Sequence, residues 1–484
     1  MPPAVPAAIE NLIDEGSFEL AVAPAETPDP LGFPGYADAL AAARTRTGLD
    51  DAVVSGAATI GGIDVEIAAF DFGFLGGSMG SLAGEILARA VERASARGVP
   101  FVLRTATGGA RMQEGMASLV QMPKLAAARL ELAGAGLPFL AVFGSPTTGG
   151  VLAGFGALAD VTIAEAGATV GFAGPRVVRS ATGSAPSADS HTAEAALRAG
   201  LLDAVVEHGE TRAAVGTVLA ILASEPLAVD DGSRGSLSGF PEPWDAVSEV
   251  RSAGWPRGPE LARSMAGSFF ELRGDRAGGD DRGLSAGLAT IEGAPALVLA
   301  LDHERPPGPG AFRKAVRCLA VAGRLGLPVV SLVDTRGADP SEDSEAGGIA
   351  WAIAALFDAM LTAPVPTVAV VTGEGGSGGA LAFATADVLL AYEGSVFSVI
   401  APELAAEILW RDAGRAPEAA RLLHVGAEGL IELGIADGLV AGRPSGPSLA
   451  HTVAYHLGLL RRGRTTDPVF DDSRRDRWRH KLGY

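Results

Sequence analysis

The stretch VPFVLRTATGGARMQEG, residues 99–115, decides how the rest of the chain is read. Its apolar and β-branched run reads as a buried strand that stops at Thr105–Thr107. The pair Gly108 and Gly109 then makes a corner. From Arg111 to Ala133 apolar residues recur at helical spacing (Met112, Met116, Leu119, Val120, Leu125, Leu130), which predicts a helix with Pro123 as a kink. N–H groups at such a corner lack intrahelical partners. With the helix dipole behind them they can hold a carboxylate, a phosphate, or the oxyanion of a thioester turning into an enolate. Glycine lets the reacting atom approach and lets the backbone aim two N–H groups at one point. Taken alone, a Gly-Gly pair reads first as a tight turn.

The corner recurs along the chain. PFLAV (138–142) leads into GSPTTGG (144–150) and the small-residue helix VLAGFGALA, while LPVVSLVDT (327–335) leads into Arg336, Gly337 and Ala338. PTVAVVT (366–372) leads into GEGGSGGALAFATAD (373–387), and GLLDAVV (200–206) is echoed by GIADGLV (434–440). Hairpin patterns at 52–72, turning at Gly61 and Gly62, and at 284–302 stand ahead of the two sets. Self-similarity in fixed order predicts two copies of one α/β unit.

At 484 residues the chain has room for two domains. We place a helical lead-in at 1–50, a first domain at 51–222, a linker rich in Pro, Gly, Ser and Asp at 223–250, and a second domain at 251–484, with helical segments opening the second domain through PELARSMAGSFFELRGD. A formal net charge of -19 argues against a general nucleic-acid or membrane-surface binder. The single cysteine, Cys318, rules out an internal disulfide and any zinc site built from several cysteines. The N-terminus carries Glu10, Asp14 and Glu15 with no basic n-region, and no apolar run is long enough to span a bilayer. These features predict a soluble cytoplasmic protein. The locally basic end, LLRRGRTTDPVFDDSRRDRWRHKLGY, reads as a solvated helix and tail.

GGSMG (76–80) and GGSGG (375–379) fit the serine nucleophile-elbow pattern, with Ser78 or Ser377 as nucleophile, but the histidines of the chain sit in no triad signature. GFGALA (154–159) resembles a dinucleotide fingerprint, yet it follows a Gly-rich loop rather than a strand. No metal-ligand spacing and no phosphate loop of the G-x-x-x-x-G-K-[ST] type appears. With side-chain catalysts scarce and N–H corners plentiful, the chemistry best served creates an oxyanion, as in enolate formation on a thioester.

FLGGSMGS, TGGARMQEG, TTGGV, GFAGPRV (171–177), GAFRKAVR (310–317), TGEGGSGGALA and the SVI-P-E segment (398–403) followed by ILW together resemble the carboxyltransferase of bacterial acetyl-CoA carboxylase. A β-subunit-like half stands ahead of an α-subunit-like half. The resemblance implies an α/β fold of two tandem crotonase-like (ClpP/crotonase) domains of repeated ββα units. It implies transfer of a carboxyl group from carboxybiotin on a carrier protein to an acyl-CoA thioester, giving malonyl-CoA or a relative for fatty acid biosynthesis, with no resident cofactor or metal. The first oxyanion hole falls on Gly149 and Gly150, and the second within Gly375, Gly376, Gly378 and Gly379. Gly108, Gly109, Ala110, Arg111, Gly174, Arg176, Gly337 and Ala338 are the implied substrate-binding positions. In that family no side chain is an indispensable base, since the biotin ureido nitrogen can take the α-proton. The implied partners are biotin carboxylase and biotin carboxyl carrier protein, with a homo-oligomer, a dimer or larger, whose active sites lie between chains.

The sequence departs from the family at several points. The four-cysteine zinc ribbon has no counterpart, the family's D-T-P-G-A is DTRGA at 334–338, and DPSEDSEAGGI replaces the tyrosine and E-E-R-G-Q that follow. The basic loop before GAFRKAVR shortens to HERPPGPG (303–310). These changes lie mainly in the second half, on the side the resemblance assigns to biotin, so a biotin-independent decarboxylase of malonyl or methylmalonyl thioesters is the alternative activity. A serine hydrolase and a non-catalytic scaffold are the remaining readings.

Overall fold

The computed structural model describes residues 7–22, 29–187, 189–225, 237, 239–466 and 470–481, without the side chains at 7–8, 175–176, 463–466 and 470–473. The chain divides into two compact units, Met1–Ala223 with Arg276–Gly278, and Ser224–Asp275 with Gly279–Tyr484.

In the first unit β1 (Glu19–Leu20), β2 (Val53–Ile60) and β3 (Ile63–Phe70) run antiparallel, with Ile60 opposite Ile63 where the hairpin closes. β4 (Phe101–Thr107), β5 (Phe139–Thr148), β6 (Val161–Glu165) and β8 (Ala204–Val206) continue the sheet in parallel, and the short β7 (Val170–Gly171) pairs with the end of β5. Parallel strands covered on both faces need apolar side chains on both, which is why these runs are continuous rather than alternating. The helix Ser81–Arg97 lays Leu82, Ile86, Leu87, Val91 and Ala94 on the sheet. Phe101, Phe139 and Phe155 stack with ring centroids 4.9–6.0 Å apart, and burying each such ring is worth roughly 1.5–3 kcal/mol. The lead-in is tied down here as well, for Tyr36, Leu40 and Ala43 of the helix Tyr36–Thr47 pack with Ala52 and Phe74.

The second unit repeats the plan. β9 (Ser268–Glu271), β10 (Leu284–Ile291) and β11 (Ala294–Leu301) are antiparallel, and β12 (Val329–Thr335), β13 (Thr367–Gly376), β14 (Val388–Tyr392) and β16 (Gly438–Val440) follow in parallel. β15 (Val396–Ser398) pairs with the end of β13, as β7 does with β5. The aspartates of the two echoing segments have one job. Asp203 accepts the N–H of Thr162 at 2.9 Å and Asp437 that of Leu389 at 2.6 Å, so each staples the start of one strand to the next. Asp160 and Asp387 do the same for Phe139 and Thr367.

Four sequence expectations need correction. Arg111–Ala133 is not one kinked helix: a 3-10 turn at Met112–Glu114 and a short helix Met116–Leu119 precede the helix Gln121–Gly134. Gly115, at φ 53° and ψ -131°, breaks the run, and Pro123 falls in the first turn of the last helix, where a missing N–H costs nothing. β5 and β13 run to Thr148 and Gly376, through residues read as loop, because β7 and β15 supply partners for the extra residues. SFFE is strand β9 rather than helix. Finally Pro243–Val250, expected within the linker, is a helix whose Ala246, Val247 and Val250 cluster with Trp255, Val396 and Val425 in the second unit.

Candidate active site

Each unit builds a corner at the carboxyl ends of its parallel strands, where ligands collect in open α/β sheets. In the first, the bend after β4 meets the end of β5. Gly109 (φ 109°) and Gly149 (φ 67°) touch: a Cβ on Gly109 would lie 3.2 Å from the Cα of Gly149 and 3.5 Å from the N of Gly150. The helix Gly149–Gly154 starts here without a side-chain cap, so its first-turn N–H groups lack intrahelical partners. The Gly149 N–H is taken by the Phe172 carbonyl at 2.9 Å, which leaves Gly150 as the next first-turn donor. Gly150 is half-buried, and a Cβ there would face the Met122 sulfur at 3.1 Å.

The Gly108–Gly109 bend contributes differently from expectation. It does not open a helix. The Gly108 N–H is bonded to Gly76 and the Gly109 N–H to the Thr107 hydroxyl, both at 2.9 Å, so the bend shapes the corner with its donors already used. Ala110 bridges to Met79 beside it. Gly174 caps the helix Pro175–Thr182 and is half-buried, while the side chain of Arg176 lies outside the described residues.

Arg111 faces inward. Its guanidinium is fully buried, with Nη2 2.5 Å from Asp51, Nη1 2.9 Å from the other Asp51 oxygen and 3.3 Å from Glu114, and further bonds to Tyr36 and Ser78. Burial alone would weaken that charge, but the Asp51 carboxylate more than offsets it and drives the pKa above the ordinary arginine range. Burial also raises the Tyr36 phenol, which donates to Glu114 at 2.7 Å. This network holds the corner from beneath and offers no donor to an anion at the surface, which corrects the substrate-contact expectation. Ser78 donates to the Leu75 carbonyl at 2.9 Å and receives Nε of Arg111 at 3.3 Å, which places it in the same scaffold and not beside a base.

The second corner pairs the bend after β12 with the end of β13. Thr335 lies opposite Gly375 as Thr107 lies opposite Thr147. In that register Gly337 (φ 135°) takes the place of Gly109, Ser377 that of Gly149 and Gly378 that of Gly150. The Gly337 N–H is bonded to Thr335, repeating the Gly109 arrangement. Gly375 and Gly376 lie in the strand: side chains there would run into the Phe397 ring and the Arg336 carbonyl. Gly379 is pressed against Ala338, and a Cβ on it would lie 2.9 Å from the Ala338 Cβ. Gly378 is exposed with open space above it, and it is the second residue of the helix Ser377–Ala384, whose N-cap Gly376 offers no side-chain cap. Of the four expected glycines, Gly378 is the one whose first-turn N–H lies at an exposed position; Gly379 is in the same turn but buried, and Gly375 and Gly376 belong to the strand.

Ser377 is a corner residue that the glycine pattern alone does not reveal. It sits at φ 60°, a strained value for a side chain other than glycine, and only the repeat register with Gly149 could have marked it. Among the described residues no histidine bonds to Ser377, and no group of acidic, histidine or cysteine side chains is arranged to hold a metal.

The second corner has its own set of charges, with Glu374, Asp334 and His303 buried and Arg251 and Glu403 partly so. Arg251 pairs with Glu374 through two bonds of 2.8 and 2.6 Å and with Glu403 at 2.6 Å, and the Glu374 N–H donates to Asp334 at 3.2 Å. Asp334 in turn meets His303.

Residues 238–456 match the family model described as acetyl co-enzyme A carboxylase carboxyltransferase-like. The chain is 43% identical over 462 residues to the acetyl-coenzyme A carboxylase carboxyl transferase subunits beta/alpha of Salinispora arenicola, covering 90% of this chain and 81% of that one. It is 36% identical over 469 residues to a probable biotin-dependent acyl-coenzyme A carboxylase beta3 subunit of Mycobacterium bovis, covering 93% of each. Among solved structures, transcarboxylase 12S with hydrolysed methylmalonyl-coenzyme A superposes with a TM-score of 0.77 at 24% identity, over 93% of this chain and 88% of that one. A single-chain, multi-domain long-chain acyl-CoA carboxylase gives 0.72 at 21% identity, over 93% of this chain and 45% of the other. These likenesses establish the fold, two tandem crotonase-like domains. No helix among the described residues is long and apolar enough to cross a membrane. With nine-tenths of its length aligned at 43% identity to a fused β/α relative, and the same corner built once in each unit, the chain belongs to the acetyl-CoA carboxylase carboxyltransferase family.

Proposed function

We infer that this protein is the carboxyltransferase of a biotin-dependent acyl-CoA carboxylase. It moves a carboxyl group between carboxybiotin, brought in as a substrate on a carrier protein, and a short acyl-CoA such as acetyl-CoA or propionyl-CoA. The observation that carries this reading is the paired corner: Gly149–Gly150 after β5 and Ser377–Gly378 after β13, each a strand end turning into an uncapped helix. A two-carbonyl reaction needs two oxyanion sites. The Gly150 N–H supports the thioester oxygen as the α-proton leaves, and the Gly378 N–H supports the ureido oxygen as the N–C bond to the carboxyl group breaks. The α-carbon forms the new C–C bond, and the freed ureido nitrogen receives the proton. Gly109 and Gly337 brace the two donors, and Gly108 and Ala110 line the thioester side.

The reading extends to partners. Biotin carboxylase and a biotin carboxyl carrier protein supply the donor. The chain works as a homo-oligomer in which a corner from one copy cooperates with a corner from another. Large apolar side chains left exposed in both units support assembly, among them Met112 and Met116 in the first and Trp351 and Ile408 in the second.

The test is transfer in reverse: malonyl-CoA incubated with the protein, with and without free biotin, and acetyl-CoA measured. Biotin-stimulated acetyl-CoA formation is the expected result. Equal formation without biotin would assign a decarboxylase instead.

A further inference from the structure

The second corner carries a side chain that the family pattern lacks. Where the resemblance expects proline in D-T-P-G-A, this chain has Arg336, immediately before the bracing Gly337. Arg336 is exposed, yet one edge of its guanidinium is fixed: Nε donates to Nε2 of His303 at 3.2 Å. His303 is buried, and its Nδ1 lies 3.2 Å from Oδ1 of Asp334, which is fully buried too. An arginine Nε–H can only donate, so His303 Nε2 accepts and the proton sits on Nδ1, donated to Asp334. Asp334 is itself located by the Glu374 N–H at 3.2 Å and by Arg257 at 3.9 Å. Among the described residues the two Nη groups of Arg336 have no acceptor. A guanidinium held by Nε with its Nη edge free is prepared for a planar, two-oxygen anion.

We propose that Arg336 contacts the carboxylate of the carboxylated donor at the second corner, and that His303, itself held by Asp334, is a positioning residue that fixes the Arg336 guanidinium. The inference rests on the carboxyltransferase reading. The first unit has no equivalent, since Gly108 stands where Arg336 does, which suits a division of labour: the thioester corner meets a neutral carbonyl, and the donor corner meets a charged carboxylate.

The experiment uses the full chain and the reverse reaction, malonyl-CoA with free biotin, which passes through the same transition state. Arg336→Gln should lower kcat/KM for biotin roughly ten- to a hundredfold, the range for loss of a hydrogen-bonded charge, and leave KM for malonyl-CoA unchanged. His303→Asn keeps a donor for Asp334 but cannot reach Arg336, and it should reproduce most of that fall. His303→Gln, whose side-chain oxygen can accept from Nε, should recover part of it. In the Arg336→Gln background His303→Asn should have no further effect on kcat/KM for biotin, which a merely structural role would not satisfy. Unchanged biotin kinetics in Arg336→Gln, whose exposed side chain spares the fold, would overturn the inference and leave the carboxyltransferase reading intact. An equal fall for His303→Asn in both backgrounds would likewise remove the positioning role. Absence of any biotin-dependent acetyl-CoA formation by the wild-type protein would overturn both.

Discussion

Gly109 and Gly149, forty positions apart, meet backbone to backbone: a Cβ on Gly149 would lie 3.0 Å from the Cα of Gly109. Both also hold positive φ, 109° and 67°. Both the close approach and the backbone conformation therefore favour glycine at each position. Gly149→Ala should cost roughly 1–2 kcal/mol for the left-handed backbone alone, and the forced separation from Gly109 should displace the neighbouring Gly150 N–H. Transfer should fall while secondary structure survives, read by reverse turnover beside circular dichroism. Wild-type turnover in a folded Gly149→Ala protein would show that this contact does not set the corner.

Gly150 differs from both. Its φ is not positive, and a Cβ would be crowded by the flexible Met122 side chain at 3.1 Å, with the Ala110 Cβ in ordinary contact at 3.8 Å. Gly150→Val should fold, and the branched side chain beside its N–H should lower turnover on the order of 10²-fold or more, the effect of losing one oxyanion donor. Near-normal rates from the folded variant would remove Gly150 from the mechanism.

The strand-and-corner plan was legible because buried parallel strands write continuous apolar runs and each is followed by glycine. The duplication was legible because Asp203 and Asp437 perform one stapling task in matching segments. Other features were not. The use of the Gly108 and Gly109 donors depends on Gly76 and Thr107, and nothing in local spacing shows that a bend will consume its own N–H groups. Arg111 read as an anion contact because its partners, Asp51 and Tyr36, lie 60 and 75 residues away. Ser377 read as a candidate nucleophile rather than as a corner residue because a left-handed serine has no signature of its own.

Arg111 supplies a stability prediction. Its guanidinium and the Asp51 carboxylate are both fully buried. Removing one partner leaves the other charge uncompensated, and such losses cost about 3–5 kcal/mol. Asp51→Ala should therefore lower the denaturation midpoint sharply, whereas a substitution at exposed Arg89, paired only with Glu85 at the surface, should barely register. Comparable small shifts from both would contradict the scaffold role.

The acid limb of stability should have a contribution from Asp280. Burial would raise its carboxyl, but Lys314 at 3.1 Å, with Arg273 and the Gly274 N–H, holds it below the ordinary value of 3.8. Because the folded value is the lower one, the stabilisation is complete above 3.8 and disappears as pH falls from there through the folded value. Asp280→Asn should reduce the denaturation midpoint at neutral pH and show a shallower further decline over that acid range. Parallel curves for the two proteins would contradict this assignment.

Ser377 decides between two meanings of one motif. In GGSGG it sits where β13 turns into a helix, at φ 60°, which is also how a nucleophilic serine would be displayed. The repeat register gives it a different role, since the same position in the first unit is Gly149, which has no side chain to act as a nucleophile. What the position requires is then the left-handed backbone that aims the next N–H, and glycine supplies it with less strain than serine. Ser377→Gly should keep biotin-dependent transfer within about twofold and gain up to about 1 kcal/mol of stability from the relaxed backbone. Ser377→Val should lose both, because a β-branched residue resists positive φ and its strain would turn the Gly378 N–H away. Measured side by side with unfolding curves, the pair separates backbone from hydroxyl. A folded Ser377→Gly protein without activity would make the hydroxyl itself essential, and the corner would have to be reread as a nucleophile's seat.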